Sequence, residues 1–538
     1  MIKYQNNIII YIKDINYHFV FINKIIILVS KGGNINIMVK KLNYYVNGTF
    51  KESKTDQYTD AYNPSTGEIT AKVPRCTPDE VEEAIAAAKA AFPGWSATPV
   101  KKRVAILYKL RDLLYEHLDE LTMSVAKENG KNWAESEGDV LKAIEGTEQA
   151  IAAPSLMMGE SLMDTSRGFD TVSYREPLGV FAGIIPFNFP AMIPMGWMTP
   201  ICIACGNTIV LKAATFTPQT CLRIAELYKE AGLPDGVINI VTCSRHEAEI
   251  FLNHPDIKGI TFVGSTSVGK HIYSTAAANG KRVQALCEAK NHALVLEDTP
   301  IERTAAGIIN ASFGCAGERC MALPVVVVQE SIADKLVAAI VEKAKALKVG
   351  PAYDKTTNLG PVINAKHKES VINWINKGIE EGAQLVLDGR NTVVEGYENG
   401  FYIGPTILDH VKPGMSVGDR EIFGPVLCIK RVKTFEEGLA IMNANPFANG
   451  SVIFTQNGHY AREFVRHTDG GMVGVNVGIP VPVGMFPFNG HKQSFFGDLH
   501  TLGKDGYRFY TDYKVVTTRW FDEEEKKVKA VSTWDGTI

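Results

Sequence analysis

Apolar residues are spaced like helix faces early in the chain and collect into short unbroken runs later. Thr77-Pro78-Asp79-Glu80 reads as a helix start, with Thr77 as cap, Pro78 at the first helical position and Glu80 closing a capping box. Val81, Ile85, Ala88 and Phe92 follow at helical spacing. From about Val100, the residues Leu107, Leu110, Leu114, Leu118, Leu121 and Val125 share one side, which predicts a single long amphipathic helix stopped by Gly130. After residue 175 the texture changes. Apolar runs at 179–185, 208–211, 237–241 and 259–263 alternate with helical stretches such as 219–231, and a second set follows with a strand at 325–328 and a helix at 332–347. This alternation predicts βαβ units around parallel sheets, arranged as two α/β lobes.

Composition narrows the class. The 538 residues are 45% apolar and 21% charged, a balance that builds a large buried core. With 56 Lys plus Arg against 59 Asp plus Glu, the net charge of −3 argues against a general nucleic-acid binder. Nine cysteines, odd in number and scattered, read as thiols of a reducing, cytoplasmic compartment and not as a disulfide framework. Residues 1–37 are different. Up to residue 38 the chain has 12 Ile and 6 Asn and no Ala, Arg, Pro or Glu. Its apolar run from Phe19 to Val29 is broken by Asn23 and Lys24, too short for a membrane span of ~20 residues, and no small-residue cleavage site follows it. The segment is expected to be a non-native or disordered extension, with a weak membrane-surface anchor as the rival.

Four motifs carry candidate chemistry. Strand residues Ile260 to Val263 lead into Gly264-Ser265-Thr266-Ser267-Val268-Gly269-Lys270, a glycine turn opening a helix that can offer backbone N–H groups to a phosphate. A P-loop needs Ser or Thr after the lysine, and His271 stands there, so an NTPase is disfavoured; the alternative is a plain βα turn. Cys202-Ile203-Ala204-Cys205 has redox or zinc-knuckle spacing but lies in an apolar stretch with no second pair, so it reads as core, and no metal site is expected. Cys320 ends the run Phe313-Gly314-Cys315-Ala316-Gly317-Glu318-Arg319-Cys320; it is either an inert buried thiol or a nucleophile whose thiolate Arg319 favours. Pro186-Phe187-Asn188-Phe189-Pro190 is either a rigid aromatic turn or a mount for a carboxamide aimed at an oxyanion.

Together these segments resemble the aldehyde dehydrogenase superfamily from about Tyr44 to Trp520. Further matching stretches are Asn63-Pro64-Ser65-Thr66-Gly67, Phe262-Val263-Gly264-Ser265, Glu421-Ile422-Phe423-Gly424-Pro425-Val426 and Pro487-Phe488-Asn489-Gly490. Within it the chain looks most like the CoA-acylating methylmalonate-semialdehyde dehydrogenases, through Ala153-Pro154-Ser155-Leu156-Met157-Met158-Gly159, Ala289-Lys290-Asn291-His292, Gly317 to Ala322, and Ser494-Phe495-Phe496-Gly497-Asp498-Leu499-His500. The resemblance implies an α/β fold with a Rossmann-type cofactor domain at 38–164 and 179–296 and an α/β catalytic domain at 297–495. It also implies a small β oligomerisation element at 165–178 and 505–520, followed by a tail at 521–538. Cys320 would attack the aldehyde, and Asn188 with the Cys320 backbone N–H would hold the oxyanion. Ile185, Phe187, Lys212, Thr215, Gly264, Ser265, Glu421 and Phe423 would contact the nicotinamide cofactor, and Arg319 with Lys142 the substrate carboxylate. The partners implied are a small semialdehyde and CoA, with no nucleic acid or membrane, in a homodimer or homotetramer.

Four positions depart from the wider family pattern, and one is Lys142, which stands where the family has an Arg and keeps the charge without the bidentate fork. Leu286 stands where hydrolytic members carry a Glu base, which leaves water a poor nucleophile and favours CoA as acyl acceptor. Glu288 stands at a usual Gly, two residues on and so on the same strand face; it is the feature that keeps a hydrolytic enzyme as the alternative. Thr215 replaces the carboxylate that would accept an adenosine 2′-OH and repel a 2′-phosphate, so NADP is plausible beside NAD. A separate prediction concerns Met38, where ordinary globular composition begins. Intact-mass measurement of the protein from its natural source should place the N-terminus there, and a mass that includes Met1 overturns the reading.

Overall fold

The computed structural model describes residues 39–527 except Arg167, and the backbone alone for five short strands between Lys3 and Ile37. Those five pair with one another in a sheet of their own. The expectations for residues 1–37 and for the tail beyond 527 otherwise lie outside the described residues.

The helix start at Thr77 is as the sequence predicts. Helix Pro78–Ser96 carries both bonds of the capping box, and Val81, Ile85 and Ala88 are buried. The long helix expected from Val100 is instead two, Val100–Glu116 and Leu118–Asn129, meeting at His117 (φ −97°, ψ 16°). Both pack on helix Trp133–Ile151. The break leaves Leu107, Leu110, Leu114, Leu121 and Val125 buried together, so periodicity alone does not register it. Gly130 ends the second helix with φ 95°.

The first large sheet has eight strands in the order Phe495–Gly497, Arg282–Leu286, Ile257–Val263, Val180–Ile184, Thr208–Lys212, Ile238–Val241, Tyr44–Val46, Thr49–Lys51. The middle five are parallel, and both edges are antiparallel. Val180–Ile184 is flanked by the strand that follows it and by the later Ile257–Val263, so the strand order reverses there. Ligands of such sheets bind beyond the carboxyl ends at that switch point. Alternate residues feed two cores: Phe181, Ile209 and Leu211 on one face, Val180, Ala182 and Val210 on the other. Burial on both faces explains the unbroken apolar runs in the sequence.

The second sheet orders Gln384–Leu387, Thr406–Asp409, Val426–Val432, Val325–Gln329, His292–Val295, Gly450–Phe454, Met472–Val475, parallel except for its first strand. Because His292–Val295 belongs to it, the chain crosses between sheets after Leu286 and before His292, not at 296/297. Conversely, Phe495–Gly497 completes the first sheet. A third, antiparallel sheet joins Ser161–Ser166, Phe169–Pro177 and Thr511–Arg519. Its hairpin starts earlier than the expected 165, and residues from Gly503 to Tyr510 are helix instead of β structure.

Helix Trp133–Ile151 lies against the wide turn Met192–Met198 at backbone contact. A Cβ on Gly146 would come 2.1 Å from the Gly196 carbonyl oxygen. Gly138, on the same helix, has nothing within 4 Å of its notional Cβ. Gly146→Ala should therefore destabilise the fold by about 1–3 kcal/mol, while Gly138→Ala should stabilise it by about 0.5–1 kcal/mol. Urea unfolding of the two variants checks the contrast; shifts of the same sign overturn it.

Candidate active site

The turn that follows strand Val180–Ile184 carries Ile185 to Asn188, and it is pinned from below. Lys131 Nζ donates to the Asn188 carbonyl at 2.6 Å, lies 3.2 Å from the Asp139 carboxylate and 3.7 Å from the Phe189 ring centroid. Asn129 Nδ2 and Thr217 Oγ1 both donate to the Phe187 carbonyl, at 3.1 and 3.0 Å. Asp139 also accepts the Met192 N–H at 2.7 Å. The Asn188 side chain is buried, and its Nδ2 donates to the Glu318 carbonyl at 3.1 Å. An amide nitrogen has two N–H donors, so one remains for a ligand.

Cys320 is mounted on a strained loop. Beyond helix Ile301–Phe313, three successive residues take left-handed backbone angles: Cys315 and Ala316 at φ 52°, Gly317 at φ 73°. Such angles cost non-glycine residues free energy and persist only where surrounding bonds impose them. Here Glu135 Oε1 accepts the Cys315 N–H at 2.7 Å and lies 3.7 Å from the Arg319 guanidinium. Asn291 Nδ2 donates to the carbonyls of Cys320 and Ala322 at 2.9 and 2.8 Å, and Asn449 Nδ2 to Cys320 at 3.3 Å. A Cβ on Gly317 would stand 2.1 Å from the Gly424 carbonyl oxygen, so only glycine lets this loop touch the loop bearing Glu421.

Of the nine thiols, Cys320 alone is not buried. Burial of its surroundings pushes the thiol up to about 12, and the Glu421 carboxylate adds to the shift; Arg319 and the N–H groups of Cys320 and Met321 oppose it. Burial likewise raises Glu421 to about 8, against the Ala289 N–H that it accepts at 3.1 Å.

A cavity of about 720 Å³ opens at the switch point. It brings together Cys320 and Asn188 with Ile185, Phe187, Lys212, Thr215, Gly264, Ser265, Glu421 and Phe423, all expected from the sequence. Phe423 sits at φ 60°, its carbonyl held by His367 Nε2 at 2.7 Å and its ring edge-on to Phe187 at 5.9 Å. Ser265 caps helix Thr266–Ala278 without a side-chain bond. His271, the residue that spoils the P-loop pattern, pairs with Glu249 at 2.8 Å.

Other expected residues lie elsewhere. Lys142 pairs with Glu145 and borders a separate cleft with Trp197 and Val481, and Arg319 does not line the cavity. Cys202 and Cys205 are core, and no His, Cys, Asp or Glu grouping among the described residues suits a metal. Leu286 is buried, paired with Phe495 and facing apolar side chains. Glu288 does not share its face. The strand ends at Leu286, and the Glu288 carboxylate turns to the Thr266 N–H at 3.0 Å. Sequence reasoning missed Lys131, Glu135, Asp139 and Asn291. Charged residues beside Gly130 and along a helix read as solvent-facing, and only their partners, distant in sequence, reveal them as buried.

The aldehyde dehydrogenase family model matches residues 50–516. Malonate-semialdehyde dehydrogenase 2 of Geobacillus kaustophilus is 49% identical over 482 residues, 90% of this chain and 99% of that protein. The crystal structure of methylmalonate-semialdehyde dehydrogenase from Oceanimonas doudoroffii superposes with a TM-score of 0.89 at 42% identity, covering 91% of this chain and 100% of its own. A Sinorhizobium meliloti structure described under the same enzyme name and complexed with NAD gives 0.89 at 39% identity, covering 90% and 99%. Matched by the family model over most of its length and by relatives at 39–49% identity, the chain belongs to the aldehyde dehydrogenase family.

Proposed function

We propose that this protein oxidises malonate-type semialdehydes with NAD and passes the acyl group through Cys320 to CoA. The observation that carries the acyl-transfer step is Leu286: its side chain sits in an apolar core at the place of the hydrolytic base. The relatives' names support the substrate class.

The cavity fits a dinucleotide. It spans the switch point, with the Gly264-Ser265 turn and the amides of a 13-residue helix at one side and Lys212 and Thr215 on another. When bound, NAD accepts a hydride from the aldehyde carbon. The chain's own residues do the rest. Cys320, protonated at rest, gives its thiol proton to solvent in the cavity and attacks the carbonyl carbon, forming the C–S bond, and the displaced electron pair on oxygen is held by the Asn188 amide and the Cys320 N–H. Loss of hydride restores C=O and leaves a thioester on Cys320. A carboxylate on the carbon next to that thioester can leave as CO₂, because the thioester takes up the electron pair as an enolate; a proton from water then quenches the enolate, which leaves acetyl- or propionyl-Cys320 from malonate or methylmalonate semialdehyde. The CoA thiolate then attacks the carbonyl and Cys320 leaves as thiolate.

Of the two cations expected for the substrate carboxylate, Arg319, the neighbour of Cys320, is the one the structure favours, since its buried Nε–H has no partner among the described residues, whereas Lys142 borders a separate cleft. Lys142 keeps the charge of an arginine without its bidentate fork. Nine unpaired thiols support a reducing, cytoplasmic setting. The third sheet exposes Leu162, Met163, Tyr174 and Val515 on its two faces, apolar surface that supports a homodimer or homotetramer.

Without CoA, one equivalent of NADH per active site should form in a burst, followed by slow turnover; CoA should restore sustained turnover, and Cys320→Ala should abolish the burst while still binding NAD. Stopped-flow absorbance checks this, and full-rate turnover without CoA identifies a hydrolytic enzyme instead. Thr215→Glu should shift preference towards NAD by repelling a 2′-phosphate. Steady-state assays with both cofactors check it, and a wild type with no NADP activity overturns the idea.

A further inference from the structure

Glu288 stands at a position that the family fills with glycine, and its carboxylate has been given a specific task. Its Oε2 accepts the N–H of Thr266 at 3.0 Å, and in return the Thr266 hydroxyl accepts the Glu288 N–H at 3.3 Å. Thr266 is the first residue of helix Thr266–Ala278, which has no acidic residue in its first turn and no side-chain bond from its cap, Ser265. The free amides and positive dipole end of that helix are therefore met by one negative charge, supplied from just beyond the end of the neighbouring strand. Gly264, Ser265 and Glu288 all line the cavity that holds Cys320.

The same amides are where a pyrophosphate would sit on a sheet of this topology. An N–H that already donates to a carboxylate has no second hydrogen for a phosphate oxygen, and two anions at one helix terminus repel. Nothing clamps the carboxylate itself: no lysine or arginine is recorded pairing with Glu288 among the described residues, and its hold on the helix is that single amide. Ser494 Oγ, by contrast, anchors the Glu288 backbone carbonyl at 2.7 Å, so the side chain can swing while its root stays fixed.

We propose that the Glu288 carboxylate is an internal substitute for the cofactor's pyrophosphate, seated on the Thr266 amide until the dinucleotide displaces it. It keeps the helix terminus satisfied in the free enzyme and weakens dinucleotide binding by the strength of the bond that must be broken. It acts on affinity and cofactor exchange, not on the chemistry at Cys320. This rests on the reading of the cavity as an NAD site.

Isothermal titration of NAD into the wild type, Glu288→Gln and Glu288→Gly tests it. Glu288→Gln keeps size and removes charge; Glu288→Gly opens the helix terminus. Both should bind NAD about tenfold more tightly, and the KM for NAD should fall by a similar factor while the KM for the semialdehyde does not move. A purely structural role would leave NAD affinity unchanged or weaken it, and either result in both variants overturns the proposal while leaving the cofactor reading intact. Absence of NAD binding in all three proteins overturns the cofactor reading and this proposal with it.

Discussion

The ammonium group of Lys131 is the point on which the catalytic geometry rests. Removing a charge of this kind from water costs several kcal/mol, repaid only where every donor and neighbour is well placed. Lys131 meets that condition with the Asn188 carbonyl, the Asp139 carboxylate and the face of Phe189. Asp139 is pushed towards its neutral form by burial and held by Lys131 and the Met192 N–H. Losing Lys131 would thus do more than free the Asn188 turn: it would leave a buried carboxylate without a counter-charge, beneath the wide turn that meets Gly146.

A second layer of the same logic fixes Cys320. The left-handed run at Cys315 and Ala316 is unfavourable by itself; Glu135 holds its start, and Asn291 fixes the Cys320 carbonyl beyond it. Phe423 repeats the pattern across the cavity, with His367 gripping its carbonyl. Two strained loops thus meet at one cavity, the first through Cys320 and the second through Phe423. Strain concentrated in this way marks a site whose geometry is set before any ligand arrives.

Much of this was legible in the sequence. Continuous apolar runs located the parallel strands because both sheet faces are covered, and the capping residues at Thr77 located a helix start to the residue. Ten of the residues lining the cavity could be named from motif resemblance alone, because motif and loop are contiguous in sequence. What could not be read depends on pairings distant along the chain. The break at His117 leaves the apolar stripe unbroken, so periodicity is blind to it. The turn of Glu288 away from Leu286 follows from a strand ending one residue too soon for alternation to hold. Lys131 and Glu135 look like surface residues until the segments that bury them are known.

The first sheet is assembled from both ends of the chain. Tyr44–Val46 and Phe495–Gly497 lie in one sheet, the Arg282 guanidinium bonds the carbonyls of Arg508, Phe509 and Thr511, and Asn207 bonds that of Tyr510. A ribosome delivers ~5–20 residues per second. Strand Arg282–Leu286 therefore emerges on the order of ten seconds or more before the strand that covers its edge. During that interval the nascent chain carries an open, apolar sheet edge of the kind that chaperones bind and that pairs with other chains. Maturation of the cofactor lobe therefore waits on a late segment, and a message truncated anywhere before residue 511 yields no half-enzyme, because its N-terminal lobe is left unfinished.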